Sequence, residues 1–259
     1  MLAYSEMGSG SALVLLHAFP MDRSLWRHVT GPLAAEGWRV ITPDLPGFGG
    51  STETAASIDD MAERVAALLN SLGVNSAVIG GCSMGGYVAM SFAAQFPERT
   101  AGLVLVDTKA SADNDAARAN RERIAQQVLA SGSTAAIAAT QPDAMFAAST
   151  LTSKPEVVAW LKQAILDQTP EAVAAAQVAM AGRVERFETL ASLHVPVLCI
   201  RGAEDAVSTA DDHARMAQAC GDALDITIAD AGHLVPIEQP EAFVEHVADF
   251  LGRVRARHC

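Results

Sequence analysis

The pentapeptide Gly81-Cys82-Ser83-Met84-Gly85 constrains this chain more than any other stretch. It has the G-x-S-x-G form, in which a serine sits on a sharp turn between a strand and a helix. Its surroundings suit that turn. Ala77-Val78-Ile79-Gly80 is a short apolar run fit for a buried strand, and residues 87–96 read as a helix that ends before Pro97. Gly81, Gly85 and Gly86 keep the crossing free of side chains where the chain reverses. Ser83 is then expected to project its hydroxyl outward, with a helix N-terminus behind it that favours developing negative charge.

The chain on either side of the turn alternates strand and helix. Leu13-Val14-Leu15-Leu16 is a buried-strand run ending at His17, and residues 24–36 read as one helix closed by Gly37. Arg39-Val40-Ile41-Thr42 is the next strand, followed by a turn-rich loop over residues 43–50. Apolar residues at Met61, Val65, Leu68, Leu69 and Leu72 have helical spacing, and Gly102-Leu103-Val104-Leu105-Val106 is a strand leading into Asp107. This rhythm implies an α/β fold, a mostly parallel sheet with helices on both faces. Ligands of such sheets bind beyond the carboxyl ends of the strands, where Ser83 falls. Between Ser111 and Leu190 the rhythm stops, giving way to an alanine-rich helical stretch broken at Gly132, Pro142, Pro155 and Pro170. Strands resume at residues 195–200 and 225–228, and a last helix covers residues 240–254. Residues 1–108 and 191–259 therefore form the expected core, and residues 109–190 an inserted helical cap over the active end of the sheet.

Serine is a weak nucleophile at its own pKa and needs a base, itself oriented by a third group. Of seven histidines, His233 lies between the last strand and the last helix, at the same end of the sheet as Ser83. His17 ends its strand in the same region but opens a loop with another use. His28, His213, His246 and His258 read as surface residues in helical or terminal segments, and His194 precedes a strand at the opposite end. The third group is expected after the strand that restarts the sheet, in Arg201-Gly202-Ala203-Glu204-Asp205. Asp205 is the first choice, with Glu204 beside it and Asp107 after the preceding strand as rivals. Acyl transfer also needs donors aimed at a developing oxyanion. The backbone N–H groups of Met84 and of Phe19, in the loop His17-Ala18-Phe19-Pro20, fill that role, since Pro20 has none.

Other features have plainer explanations. Trp26, Phe92 and Phe96 fit core packing, and the basic run at residues 253–258 is a solvated helix end. Cys82, Cys199, Cys220 and Cys259 lack C-x-x-C spacing and read as free thiols. No metal-ligand cluster, cofactor site or phosphate-cradling loop is expected. With half the residues apolar and 19% charged, extended disorder is not expected, and a net charge of −12 disfavours nucleic acid or an anionic membrane as partner. No apolar run reaches membrane-span length, and Met1-Leu2-Ala3-Tyr4-Ser5-Glu6 lacks the basic start of a signal peptide, so a cytoplasmic location is expected.

Together these residues resemble the α/β-hydrolase fold family over nearly the whole chain. The matching pieces are residues 16–22, residues 43–51, the turn at Ser83, and Ala231-Gly232-His233 through Gln239-Pro240. The order Ser83, Asp205, His233 is that family's order of nucleophile, acid and histidine. The likeness is greatest to small cofactor-free serine esterases and the enol-lactonase-like branch, which residues 106–113 and 119–121 also resemble. Two departures stand out. Ala18 occupies the position where the family usually has glycine, and residues 2–6 look like the second family strand, leaving an unusual sheet edge. The serine at the turn counts against dehalogenase and epoxide hydrolase activity, whose enzymes use aspartate there. The resemblance implies a carboxylesterase acting on a small-molecule ester through an acyl-enzyme. The alternatives are an enol-lactonase-type lactonase, a cofactor-free perhydrolase, and a non-catalytic ligand receptor on the same scaffold.

Overall fold

A computed structural model describes residues 1–257; His258 and Cys259, read above as a surface histidine and a free thiol, lie outside the described residues. Among the described residues seven strands form one sheet: β1 (Tyr4–Met7), β2 (Ser11–Leu16), β3 (Trp38–Pro43), β4 (Ala77–Cys82), β5 (Thr100–Val106), β6 (Val197–Gly202) and β7 (Ala223–Ile228). Their order is β1-β3-β2-β4-β5-β6-β7, and every pair is parallel except β1 against β3. The central strands are buried along their length, which is why they read as unbroken apolar runs rather than alternating ones. All four residues of β1 are exposed, and Glu6 pairs with Arg39 of β3 across this edge. A short strand carrying charge discourages further strand pairing there.

Helices α1 (Thr30–Ala35), α2 (Ile58–Ser71), α3 (Met84–Gln95), α10 (Ala210–Ala219) and α12 (Pro240–Ala256) accompany the sheet. Residues 24–36 do not form the single helix their composition suggests. A short 3₁₀ turn over Arg23–Trp26, capped by the Asp22 side chain, is followed by the separate α1. Pro32 explains the break: inside a helix over residues 24–36 it would have no N–H for the residue-28 carbonyl and its ring would crowd that carbonyl, whereas in α1 it falls in the first turn, where no N–H is needed. Trp26 and Phe92 are fully buried and Phe96 packs on the core, as expected.

Between β5 and β6 run α4 (Asp115–Ser131), α5 (Ala135–Met145), α6 (Ala148–Ser153), α7 (Pro155–Leu166), α8 (Pro170–Ala181) and α9 (Phe187–Ser192). They are fastened to loops at the carboxyl end of the sheet. The Gly49 N–H donates to the Gln168 side chain at 3.2 Å, and the His233 N–H donates to the Met145 carbonyl at 2.6 Å. At the base, Asp113 is buried between Arg183 (2.7 Å) and Arg121, and Arg183 lies over the Tyr87 ring of α3. Among the described residues no helix is long and apolar enough to cross a membrane.

Candidate active site

The sheet order places the site. From β2 the chain steps outward to β3, then returns to lay β4 on the other side of β2, so the crossovers diverge between β2 and β4. A crevice opens at such a point beyond the strand ends. The loop after β2, carrying His17 to Pro20, and the turn after β4, carrying Ser83, face each other there.

Ser83 has φ +51° and ψ −112°, a conformation L-residues seldom adopt. Its neighbours hold it. The Ser83 N–H donates to the Val106 carbonyl at 2.9 Å, the Gly86 N–H returns to the Ser83 carbonyl at 2.9 Å, and the Thr108 hydroxyl donates to that carbonyl at 2.8 Å. The turn also requires its glycines. A Cβ on Gly81 would run into the Gly85 backbone, and one on Gly86 would lie 2.6 Å from Thr108 side-chain carbons.

Ser83, His233 and Asp205 meet in a hydrogen-bonded row. His233 Nε2 lies 2.8 Å from Ser83 Oγ, and its Nδ1 lies 2.9 Å from each carboxylate oxygen of Asp205. The 28 residues from Asp205 to His233 close because β6 and β7 are adjacent and parallel, so the turn after each reaches the same end of the sheet. Asp205 is fixed in turn: Oδ1 accepts from the N–H groups of Val207 (2.8 Å) and Ser208 (3.1 Å), and Oδ2 accepts from the Ser208 hydroxyl. The two rival acids go elsewhere. Glu204 accepts from the Ala148 N–H at 3.0 Å, and Asp107 accepts from the N–H groups of Gly202 and Val235. Met84 follows Ser83 as the first residue of α3 and Phe19 lies in the loop after β2; among the described residues neither backbone N–H donates to a protein acceptor.

The sequence model of the alpha/beta hydrolase fold matches residues 11–240. The chain belongs to the alpha/beta hydrolase fold family. A thermophilic esterase from Thermogutta terrifontis has the same architecture, with 39% identity, a TM-score of 0.94, and coverage of 98% of this chain and 93% of that one. The enol-lactonase from Burkholderia xenovorans LB400 superposes with a TM-score of 0.89 at 26% identity, covering 97% of this chain and 96% of that one. The pimeloyl-[acyl-carrier protein] methyl ester esterase of Photobacterium profundum is 31% identical, over 96% of this chain and 98% of its own length. Other curated relatives are longer: the chain spans 66%, 38% and 20% of the length of three of them.

The electrostatics of this alpha/beta hydrolase separate its carboxyl groups. Burial pushes the Asp205 carboxyl up, but His233, the Ser208 hydroxyl and the Val207 amide overcome it and hold the group at about 2. Burial, reinforced by the charge of Asp205, pushes Asp107 up to about 8. At neutral pH Asp107 is therefore mostly protonated, and the charge beside the imidazole is concentrated on Asp205. Burial alone would lower the His233 pKa, yet the charge and hydrogen bond of Asp205 raise it above its ordinary value. Burial raises the Cys82 thiol well above its usual range, so a thiolate is disfavoured beside Ser83.

Several residues differ from their sequence assignment. His213, expected at the surface, is wholly buried; its Nε2 accepts from the Thr108 N–H at 3.3 Å, and burial lowers its pKa to about 4. His28 and His194 are exposed and His246 is half-buried. His17 is buried and neutral, donating from Nδ1 to the Ala18 carbonyl (2.9 Å) and accepting the Leu45 N–H at Nε2 (2.8 Å). It thereby ties the loop bearing Phe19 to the loop after β3. In the inserted helices Met145, Phe146, Leu161 and Ile165 are buried, whereas Leu129 is exposed and lines an open groove between α4 and α8. Glu238, inside the matching segment 231–240 but given no role of its own by the sequence, is a fully buried carboxylate beside the His233 loop. Its helical segment, α11 (Val235–Glu238), gave no periodic signal because it is a single turn.

Proposed function

We propose that this alpha/beta hydrolase is a carboxylic ester hydrolase with Ser83 as nucleophile, His233 as general base and acid, and Asp205 as the group that orients His233. The observation that supports it most is the row Ser83 Oγ, His233 Nε2 at 2.8 Å and Asp205 at 2.9 Å from Nδ1, on a turn held in a strained conformation. The Asp205 carboxylate sets the proton on Nδ1, which leaves Nε2 free to accept from the serine. As Oγ adds to the ester carbonyl, its proton passes to Nε2, and the carbonyl oxygen takes up negative charge facing the N–H groups of Phe19 and Met84. The imidazolium then gives its proton to the departing alkoxide as the C–O bond breaks, leaving an acyl-serine. Water adds to the acyl carbonyl as His233 takes its proton, and the acyl–Oγ bond then breaks as the imidazolium returns that proton to Ser83 Oγ, releasing the carboxylic acid.

In this reading residues 109–190 act as a cap and residues 1–108 and 191–259 as the catalytic core, the cap shaping the acyl site. A lactone presents the same carbonyl chemistry, and the likeness to an enol-lactonase supports it as the second reading. The deciding experiment is hydrolysis of p-nitrophenyl esters from acetate to long acyl chains by the wild type and Ser83→Ala. Turnover lost in a folded Ser83→Ala protein is the expected result, and the chain-length optimum sizes the acyl site. Turnover that survives the substitution would overturn the mechanism. Ser83-dependent turnover of lactones alone would select the second reading.

A further inference from the structure

Glu238 follows His233 by five positions and is completely buried, yet it is not isolated. Its carboxylate is held by two separate pieces of chain. Oε1 accepts from the N–H groups of Gly232 (2.8 Å) and Leu234 (3.3 Å), the residues on either side of His233. Oε2 accepts from the N–H of Ala147 at 2.8 Å, in the joint between α5 and α6, and the Thr150 hydroxyl of α6 also hydrogen-bonds the carboxylate. Around this centre the two pieces are fastened further. The His233 N–H donates to the Met145 carbonyl at 2.6 Å, and Lys154 Nζ donates to the Glu238 carbonyl at 2.7 Å. Contact is close enough that a Cβ on Gly232 would lie 2.5 Å from the Met145 oxygen and 2.7 Å from the Ala147 nitrogen. The same joint reaches the other turn of the site, where the Ala148 N–H donates to Glu204, next to Asp205.

We propose that Glu238 is a positioning residue whose carboxylate locks the His233 loop to the α5–α6 joint and thereby fixes the imidazole between Ser83 and Asp205. The role rests on the serine-hydrolase reading above. Two acceptor oxygens facing opposite ways suit the task, because each meets buried backbone donors that have no water to turn to. Glutamine has nearly the same shape but one acceptor oxygen. Its NH₂ group would face either the Ala147 N–H or the paired N–H groups of Gly232 and Leu234, donor against donor. The loop that carries the base then loses one of its two anchors, and small displacements of a general base cost rate steeply.

The test compares full-length wild type, Glu238→Gln and, as a surface control, Glu245→Gln, with p-nitrophenyl acetate as substrate and a thermal melt for each. Glu238→Gln is expected to lower kcat about 10- to 100-fold, with KM nearly unchanged, at temperatures well below its melting transition. In ¹⁵N-histidine-labelled protein the His233 ring is expected to change from a single form protonated on Nδ1 to a mixture of tautomers. If Glu238→Gln does not fold, Ala147→Pro breaks the same bond from the other side. Position 147 has φ −61°, and Phe146 before it is extended, so proline fits the backbone. A folded variant with wild-type kcat and an unchanged His233 tautomer would overturn the proposal, even if its melting temperature fell. Failure of the hydrolase reading looks different: turnover would persist in Ser83→Ala, while the tautomer measurement would still decide the role of Glu238.

Discussion

Replacing Asp205 with asparagine changes one atom of the site and should reverse the direction of a hydrogen bond two groups away. Asp205 Oδ1 receives the N–H groups of Val207 and Ser208, so the asparagine carbonyl oxygen is held at that position. Its NH₂ then stands where Oδ2 was, facing the Ser208 hydroxyl, which can turn to accept, and His233 Nδ1 at 2.9 Å. Oδ1 is also 2.9 Å from Nδ1 but already receives the two amides, so Nδ1 accepts from the new NH₂ and the ring proton moves to Nε2. At 2.8 Å from Ser83 Oγ, Nε2 would donate to the serine instead of taking its proton. The base is lost while the geometry stays. A tautomer reversal of this kind costs about 10⁴-fold in kcat, or ~5.4 kcal/mol at 1.36 kcal/mol per tenfold. The assay is steady-state p-nitrophenyl ester hydrolysis at pH 7.5, alongside a ¹⁵N spectrum of the His233 ring. A folded Asp205→Asn protein with kcat within tenfold of wild type would refute the reasoning and turn attention to Asp107.

Two further predictions follow from the same electrostatics. The mechanism needs neutral His233, whose pKa is raised above 6.5, so kcat/KM should fall as pH drops through a midpoint above that value. A pH–rate profile with its acid midpoint below 6.5 would contradict this; Asp205, held at about 2, stays ionised throughout. Cys82 is buried and its thiol is disfavoured as a thiolate. Iodoacetamide applied to the native protein at pH 8 should leave Cys82 unmodified and activity intact, as read by mass spectrometry of the digested protein; rapid inactivation with alkylation at Cys82 would show the thiol to be accessible.

Much of the site was legible in the sequence because it is encoded locally. A turn of five residues carries its own glycines, and the strand before it and helix after it announce themselves by composition. Chain order then selected His233 among seven histidines, since only one loop of the right kind follows the last strand. Asp205 was harder to separate from Glu204. Adjacent side chains in a turn point in different directions, and the choice depended on the Asp205 side chain folding back onto the Val207 and Ser208 amides while Glu204 reached toward Ala148. His213 was misread for a related reason. Its helix, α10, is polar on average, yet packs against β6 and β7, and the histidine lies on the packed face under Thr108.

What the sequence determined by itself is the α/β class, the place of Ser83 at a strand end, and the residue types able to activate it. These follow from short-range rules of turn geometry and hydrophobic period, which act within one element. What only the tertiary structure decided is which carboxyl carries the charge, and how the inserted helices meet the site. Asp107, Asp205 and Glu238 are similar acids in the sequence. Burial and the number of donors facing each one make the first mostly neutral at pH 7, the second a strong anion, and the third a clasp between His233 and the α5–α6 joint. Those environments are assembled from residues as far apart as Ala147 and Glu238, and a linear pattern has no term for a field that exists only once distant backbone groups converge.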